Sequence, residues 1–174
     1  LAIANYMIEF SSLKQIWFVV SPQNPFKNKA NLLSEYHRLE LVNRAIGDDH
    51  RFRASSIEFK LPQPSYTIDT IAYLKEKHPD HDFRIIMGVD QLASFHKWKN
   101  PDELRTQIGF TVYPRPGFTH HELLDSKEFE LIDAPLMEIS SSFIRNAIKE
   151  GKDVKHFVHP AAWKYIDEMG FYTK

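Results

Sequence analysis

Short apolar runs alternate with amphipathic stretches along the whole 174-residue chain. "IWFVV" (16–20) and "FRIIMG" (83–88) are continuous apolar runs, suited to strands buried on both faces. "FRASSIEF" (52–59) alternates apolar and polar positions and predicts another strand, broken by "LPQPS". "FTVY" (110–113) and "FELIDA" (129–134) predict two more. Between these runs the period changes to that of a helix. Leu1, Ile3, Ala4, Met7 and Ile8 share one face of a first helix that no capping residue precedes. Ser34 and Glu35 open a second, with Leu39, Val42 and Ile46 as its buried stripe. Ser65 is expected to cap a third, carrying Ile68, Ile71, Ala72 and Leu74. "VDQLASFHKW" (89–98) and "DELRTQI" (102–108) predict helix again. The last two helices are "SSFIRNAIKEG", stopped by Gly151, and "PAAWKYIDEMG", with Pro160 inside its start and Gly170 beyond its end.

Strands that alternate with helices imply an α/β fold built on a parallel, doubly wound sheet. In such sheets ligands bind beyond the carboxyl ends of the strands. The segments to inspect are therefore 21–31, 60–67, 88–99, 113–117 and 138–145. We expect one domain over 1–174, with a helical C-terminal part from about residue 140.

Composition narrows the class. Hydrophobic residues at 43% and charged residues at 26% are ordinary for a globular protein. A net charge of −1 supplies no global field for nucleic acid, so phosphate recognition must rest on local positive charge. The absence of cysteine excludes disulfides and thiolate metal sites and fits a cytoplasmic protein. No apolar run reaches the ~18–20 residues of a membrane-spanning helix, and no membrane partner is expected. The nine histidines show no spacing with carboxylates that would hold a metal. Monomer and homo-oligomer both stay open.

The chemistry-bearing residues lie in the segments that follow strands. Ser140, Ser141 and Ser142 stand at a helix mouth with Arg145 one turn inside, so Ser141 and Ser142 share a face with the guanidinium. First-turn amides lack intrahelical acceptors and sit at the positive end of the helix dipole. Hydroxyls, amides and guanidinium together make a socket for a phosphate chain. The simpler reading is an N-cap serine beside a surface arginine. Trp98 offers a flat face for stacking, or is a core or surface tryptophan like Trp17 and Trp163. Ser65, Tyr66 and Thr67 stand at a helix start, ready for an anion or merely capping it. Gly88 permits close backbone approach, and Asp90 is either a ribose-hydroxyl acceptor or an N-cap. Asn24, Lys27, Lys29 and Arg115 are loop candidates for a nucleotide phosphate.

"EISSSFIRNAIKEGK" (138–152) resembles the I-S-S-T-x-I-R signature of the nucleotidyltransferase superfamily, with Ser142 in place of the threonine. Further stretches agree in order: "VVSPQNPFK" (19–27), "PSYTIDTIAYL" (64–74), "IIMGVDQLASFHKW" (85–98), "YPRPG" (113–117) and "DVKHFVHPAAWKYIDEMGFY" (153–172). Together they resemble the bacterial nicotinate-mononucleotide adenylyltransferases over essentially the whole chain.

The resemblance implies a Rossmann-like fold and adenylyl transfer from ATP to nicotinate mononucleotide, with Mg²⁺ accompanying ATP. Ser140, Ser141, Ser142, Ile144, Arg145, Gly88 and Asp90 are then expected at ATP, with Arg145 the catalytic residue within the chain. Trp98 would stack on the pyridine ring. The backbone of Ser65, Tyr66, Thr67 and Lys99 would hold the carboxylate, while Asn24, Lys27 and Arg115 would meet the mononucleotide. The family's first strand and the G-G-x-F-D-P-x-H-x-G-H loop that follows it are absent from the sequence; that strand and the loop's two catalytic histidines are expected upstream of Leu1. Two readings compete: a sister transferase of phosphopantetheine or cytidylyl type, and a non-catalytic nucleotide-binding module.

Overall fold

A computed structural model describes residues 1–23, 32–118 and 120–173. It contains strands β1 (Ile16–Val19), β2 (Phe52–Ser55), β3 (Arg84–Gly88), β4 (Gly109–Tyr113) and β5 (Phe129–Leu131). The helices are α1 (Ala2–Glu9), α2 (Glu35–Ile46), α3 (Thr67–Lys77), α4 (Pro101–Gln107), α5 (Ser141–Lys149) and α6 (Pro160–Glu168). Every ladder is parallel, as the alternation of elements predicts. The pairing falls into two parts, β1–β2 and β3–β4–β5. A cleft of about 1110 Å³ lies between them, bordered by β1 on one side and Phe83–Ile86 on the other.

Side-chain alternation along β3 explains why both faces carry helices. Ile85 and Met87 join one core with Ile68, Ile71 and Leu74 of α3, while Ile86 turns to the other with Ala4 and Met7 of α1. β1 divides in the same way: Trp17 packs towards the α3 core, Ile16 and Phe18 towards the α1 core. Each core therefore reaches across both sheets. On the α3 side an aromatic nucleus forms, with Phe110 and Phe129 stacked at 4.5 Å and Phe95 edge-on to both. A third core joins α5 and α6 to Leu41 of α2 through Ala147, Ile148 and Ile166.

Local signals account for most boundaries. Ser34 caps α2, accepting from the His37 amide at 3.3 Å, and Pro160 opens α6. Gly151 and Gly170 take φ of 73° and 61° after α5 and α6, a region that other residues rarely adopt.

Three expectations need correction. The strand expected over 52–59 ends at Ser55, and Ile57–Lys60 forms a 3-10 turn that carries Glu58 inward. Thr70 Oγ1 meets the Glu58 carboxylate there, a pairing that outweighs the strand-like alternation. Ser65 does not cap α3: Tyr66 is the N-cap, without a side-chain bond, and the Ser65 amide is drawn to the Gln23 carbonyl at 3.0 Å. The strand expected over 129–134 ends at Leu131, while the helix expected over 89–98 is present as the 3-10 helix Val89–Lys97, which brings Val89, Leu92 and Phe95 into the core at three-residue spacing.

Phe110 is 0% exposed in the aromatic nucleus. Phe110→Ala is expected to cost about 3–5 kcal/mol of unfolding free energy, in the range for large-to-small core changes. Urea melts followed by circular dichroism measure it, and a loss below about 1 kcal/mol would mean that the nucleus collapses around the gap.

Candidate active site

The parallel register of β3 on β4 brings two loops out at one end. Gly88 is opposite Tyr113, so Asp90 and Arg115 emerge two residues further on from neighbouring strands. Asp90 Oδ1 lies 3.9 Å from Arg115 Nε. A Cβ on Gly88 would stand 2.3 Å from that Asp90 oxygen and 2.9 Å from Arg115 Cγ. Glycine at the strand end therefore leaves room for both side chains as they lie. Arg115 is held further by its backbone, which exchanges hydrogen bonds with Phe118, and its Nη1 reaches the Met137 carbonyl at 3.5 Å. That contact ties the β4 exit to the segment leading into α5. Burial pushes the Tyr113 phenol above its ordinary range, Asp90 adding to the rise and Arg115 opposing it. Tyr113 is therefore a neutral hydroxyl at pH 7.

At the α5 entrance the serines divide their work. Ser140 is the N-cap, its Oγ accepting from the Phe143 amide at 3.1 Å. Ser141 and Ser142 stand exposed in the first turn. Arg145 Nη2 donates to Ser142 Oγ at 3.1 Å, the one-turn pairing that the spacing implies. Capping thus consumes one hydroxyl and leaves two beside the guanidinium and the helix mouth. The Ile144 side chain is partly buried among the α5–α6 apolar residues, so only its backbone faces the entrance region.

A second group forms where α3 starts. The Lys99 ammonium sits 2.9 Å from Asp69 Oδ2 and 4.8 Å above the Tyr66 ring. Trp98 packs on Phe95 with ring centroids 5.2 Å apart and is partly buried against the main core. One region of the indole is therefore anchored in the core and the rest is accessible. Thr67 begins α3 and lines the inter-sheet cleft. Ser65 is buried, and its hydroxyl has no partner among the described residues. Asn24, Lys27 and Lys29 lie outside the described residues.

The fold accordingly joins Ser142 with Arg145, Asp90 with Arg115, and Lys99 with Tyr66. The large cleft includes Thr67 but none of Trp98, Asp90, Arg115 or Arg145. Its walls are strand edges and core side chains, so the strand-end loops, where cations and hydroxyls gather, are the better candidate site. Among the described residues no group of three His, Asp or Glu side chains converges as a metal site.

Sequence reasoning missed Asp69 and Glu58. An acid in the first turn of a helix reads as a complement to its dipole, and nothing in the spacing ties Asp69 to a lysine 30 residues away. Glu58 is only 6% exposed, accepts from Thr70 Oγ1 at 2.7 Å, and has no partner for Oε2 among the described residues. It fixes the loop before α3 against the helix. Thr70→Val removes its hydroxyl donor and is expected to destabilise by about 1–3 kcal/mol, the cost of a buried group left unpaired. Thr70→Ser should restore most of that loss in urea melts, and equal losses for the two variants would show that packing rather than the hydroxyl matters.

Comparison with known proteins agrees with this architecture. A cytidylyltransferase-like family model matches residues 1–147. A relative from Flavobacterium johnsoniae named probable nicotinate-nucleotide adenylyltransferase is 48% identical, covering 100% of this chain and 91% of its own. A Bacteroides fragilis relative of the same name is 45% identical over 95% of this chain and 83% of its own. Among solved structures, the Plasmodium falciparum nicotinic acid mononucleotide adenylyltransferase complexed with NaAD superposes with a TM-score of 0.79 at 23% identity, covering 98% of this chain and 91% of that one. At that identity the likeness carries the fold alone. The chain belongs to the cytidylyltransferase-like family and, within it, to the nicotinate-nucleotide adenylyltransferases.

Proposed function

We infer that the chain transfers the adenylyl group of ATP to nicotinate mononucleotide, giving nicotinate adenine dinucleotide and pyrophosphate in NAD biosynthesis. The observation that carries this is end-to-end similarity, at 48% identity, to a relative named for that activity. The strand-end loops supply groups suited to it.

The reaction needs little acid–base chemistry from protein. The mononucleotide phosphate is already ionised at neutral pH and is itself the nucleophile. The task is to bring two polyanions into line and to stabilise charge on the α-phosphate and the leaving pyrophosphate. Ser141, Ser142 and Arg145 at the α5 entrance suit the β- and γ-phosphates, with Ser140 shaping the turn and the Ile144 backbone nearby. Gly88 and Asp90 suit the adenosine ribose, Asp90 accepting a hydroxyl. Mg²⁺ keeps much of its water and is held largely by phosphates; the described donor set fits an ion that arrives on ATP and supplies charge neutralisation there. Trp98 suits the pyridine ring. The amides of Tyr66 and Thr67, with Lys99, suit its carboxylate, whereas the Ser65 amide is already taken by the Gln23 carbonyl; Arg115 suits the mononucleotide phosphate, and Asn24 and Lys27 belong to the same assignment.

A coupled assay with ATP and each mononucleotide tests the reading. The acid substrate should exceed the amide in kcat/KM, because helix-end amides and the Lys99 ammonium favour an anion. Similar values for both would overturn the carboxylate assignment, and transfer from CTP instead would mark a sister enzyme. Trp98→Ala should raise KM for the mononucleotide much more than for ATP. Equal rises would assign Trp98 to the core alone.

Arg145→Ala should lower kcat/KM for ATP by about 10- to 100-fold, from charge-assisted contacts of about 1.5–3 kcal/mol. Normal ATP kinetics with an earlier thermal transition would reduce Arg145 to a structural residue.

A further inference from the structure

A second cavity, of about 360 Å³, opens between β2 and α3, away from the groups assigned to the substrates. Its wall is cationic and aromatic: Arg53, Lys60 and Lys77 with His78, Trp17 and Tyr73. None of its lining residues is an acid. Among the described residues, Arg53, Lys60 and Lys77 form no ion pair with a carboxylate. Segment 24–31 contributes no acidic residue by sequence. In a chain of net charge −1, three cations without an ion-pair partner among the described residues thus line one cavity.

The rings hold these cations without neutralising them. The Arg53 guanidinium lies 4.3 Å from the Trp17 ring centroid, and the Lys77 ammonium 4.9 Å from that of Tyr73. A ring face takes no hydrogen from these cations, so their N–H groups keep their donor capacity at the cavity wall. His78, edge-on to Trp17 at 4.9 Å, has its proton affinity lowered by burial and then by His81, Arg53 and Lys77. It senses the same positive potential. Ser56 adds a hydroxyl at the rim, since it heads the 57–60 turn without a side-chain capping bond.

We propose that this cavity is a second anion site, which takes a compact phosphate-bearing polyanion of the diphosphate class. Size and chemistry select the ligand. The volume is at the small end of ligand pockets, which run from about 300 to 1,000 Å³. Three cations lining one hollow suit two linked phosphates better than one monovalent ion. The ring faces that a nucleobase would stack on carry Arg53 and Lys77 instead. A bare diphosphate matches this surface, and a base adds nothing.

An NMR titration of the ¹⁵N-labelled chain with sodium pyrophosphate at fixed ionic strength tests the proposal site by site. The Trp17 indole N–H, which donates to Gln15 Oε1 at 2.6 Å, and the amides of 53–60 and 73–78 should shift along a saturating curve. The exposed pair Lys60→Ala with Lys77→Ala should weaken binding read at these signals at least tenfold. Signals from 140–145 should respond as before, which separates this site from the α5 entrance. Lys60→Arg with Lys77→Arg should keep the curve. Absence of saturation, an unchanged curve in the alanine pair, or the same shifts with sodium chloride at equal ionic strength would each overturn the site.

Discussion

The parallel pairing of β3 with β4 is the constraint on which the rest depends. Five residue pairs from Arg84–Gly109 to Gly88–Tyr113 fix where each strand stops. A slip of one residue would turn Met87 and Phe110 out of the core and carry Asp90 away from Arg115. The register is held from below by the aromatic nucleus of Phe95, Phe110 and Phe129. It is held from the side by Arg84, which binds Thr111 Oγ1 at 3.0 Å and the Phe110 carbonyl at 2.9 Å. The same nucleus seats Trp98 through Phe95, so the core that aligns the strands also sets the position of the indole.

What was legible in the sequence was whatever a short window determines. Buried strands at 16–20 and 83–88 announce themselves as apolar runs, and Ser34, Pro160, Gly151 and Gly170 mark helix ends by local backbone chemistry. Arg145 with Ser142 was legible for the same reason, because three-residue spacing on a helix is itself a contact. What stayed hidden depends on distant partners. Glu58 looked like a polar position of a strand until Thr70, twelve residues on, drew it inward. Ser65 looked like a cap, yet its amide is taken by Gln23 from another loop. Lys99 was read through its backbone, while its ammonium is directed by Asp69. The parallel α/β class followed from the order of elements.

The polar pairs at the strand ends fall into two kinds, and the difference bears on function. Lys99–Asp69 and Asp90–Arg115 are substantially exposed, and the Arg145–Ser142 bond is likewise a surface contact. Exposed ion pairs of this sort contribute only about 0–1 kcal/mol. On the proposed reading, an incoming phosphate or carboxylate meets cations already oriented by such partners, and exchanging the partner costs little. Glu58–Thr70 is the opposite kind. It is buried, and breaking it leaves a desolvated carboxylate behind. The loop leading into α3 is thereby fixed, while the side chains that stand beyond it remain free to change partners. A site for two polyanions needs both properties: a frame that does not move when charge arrives, and cations whose present partners are weaker than the phosphates that replace them.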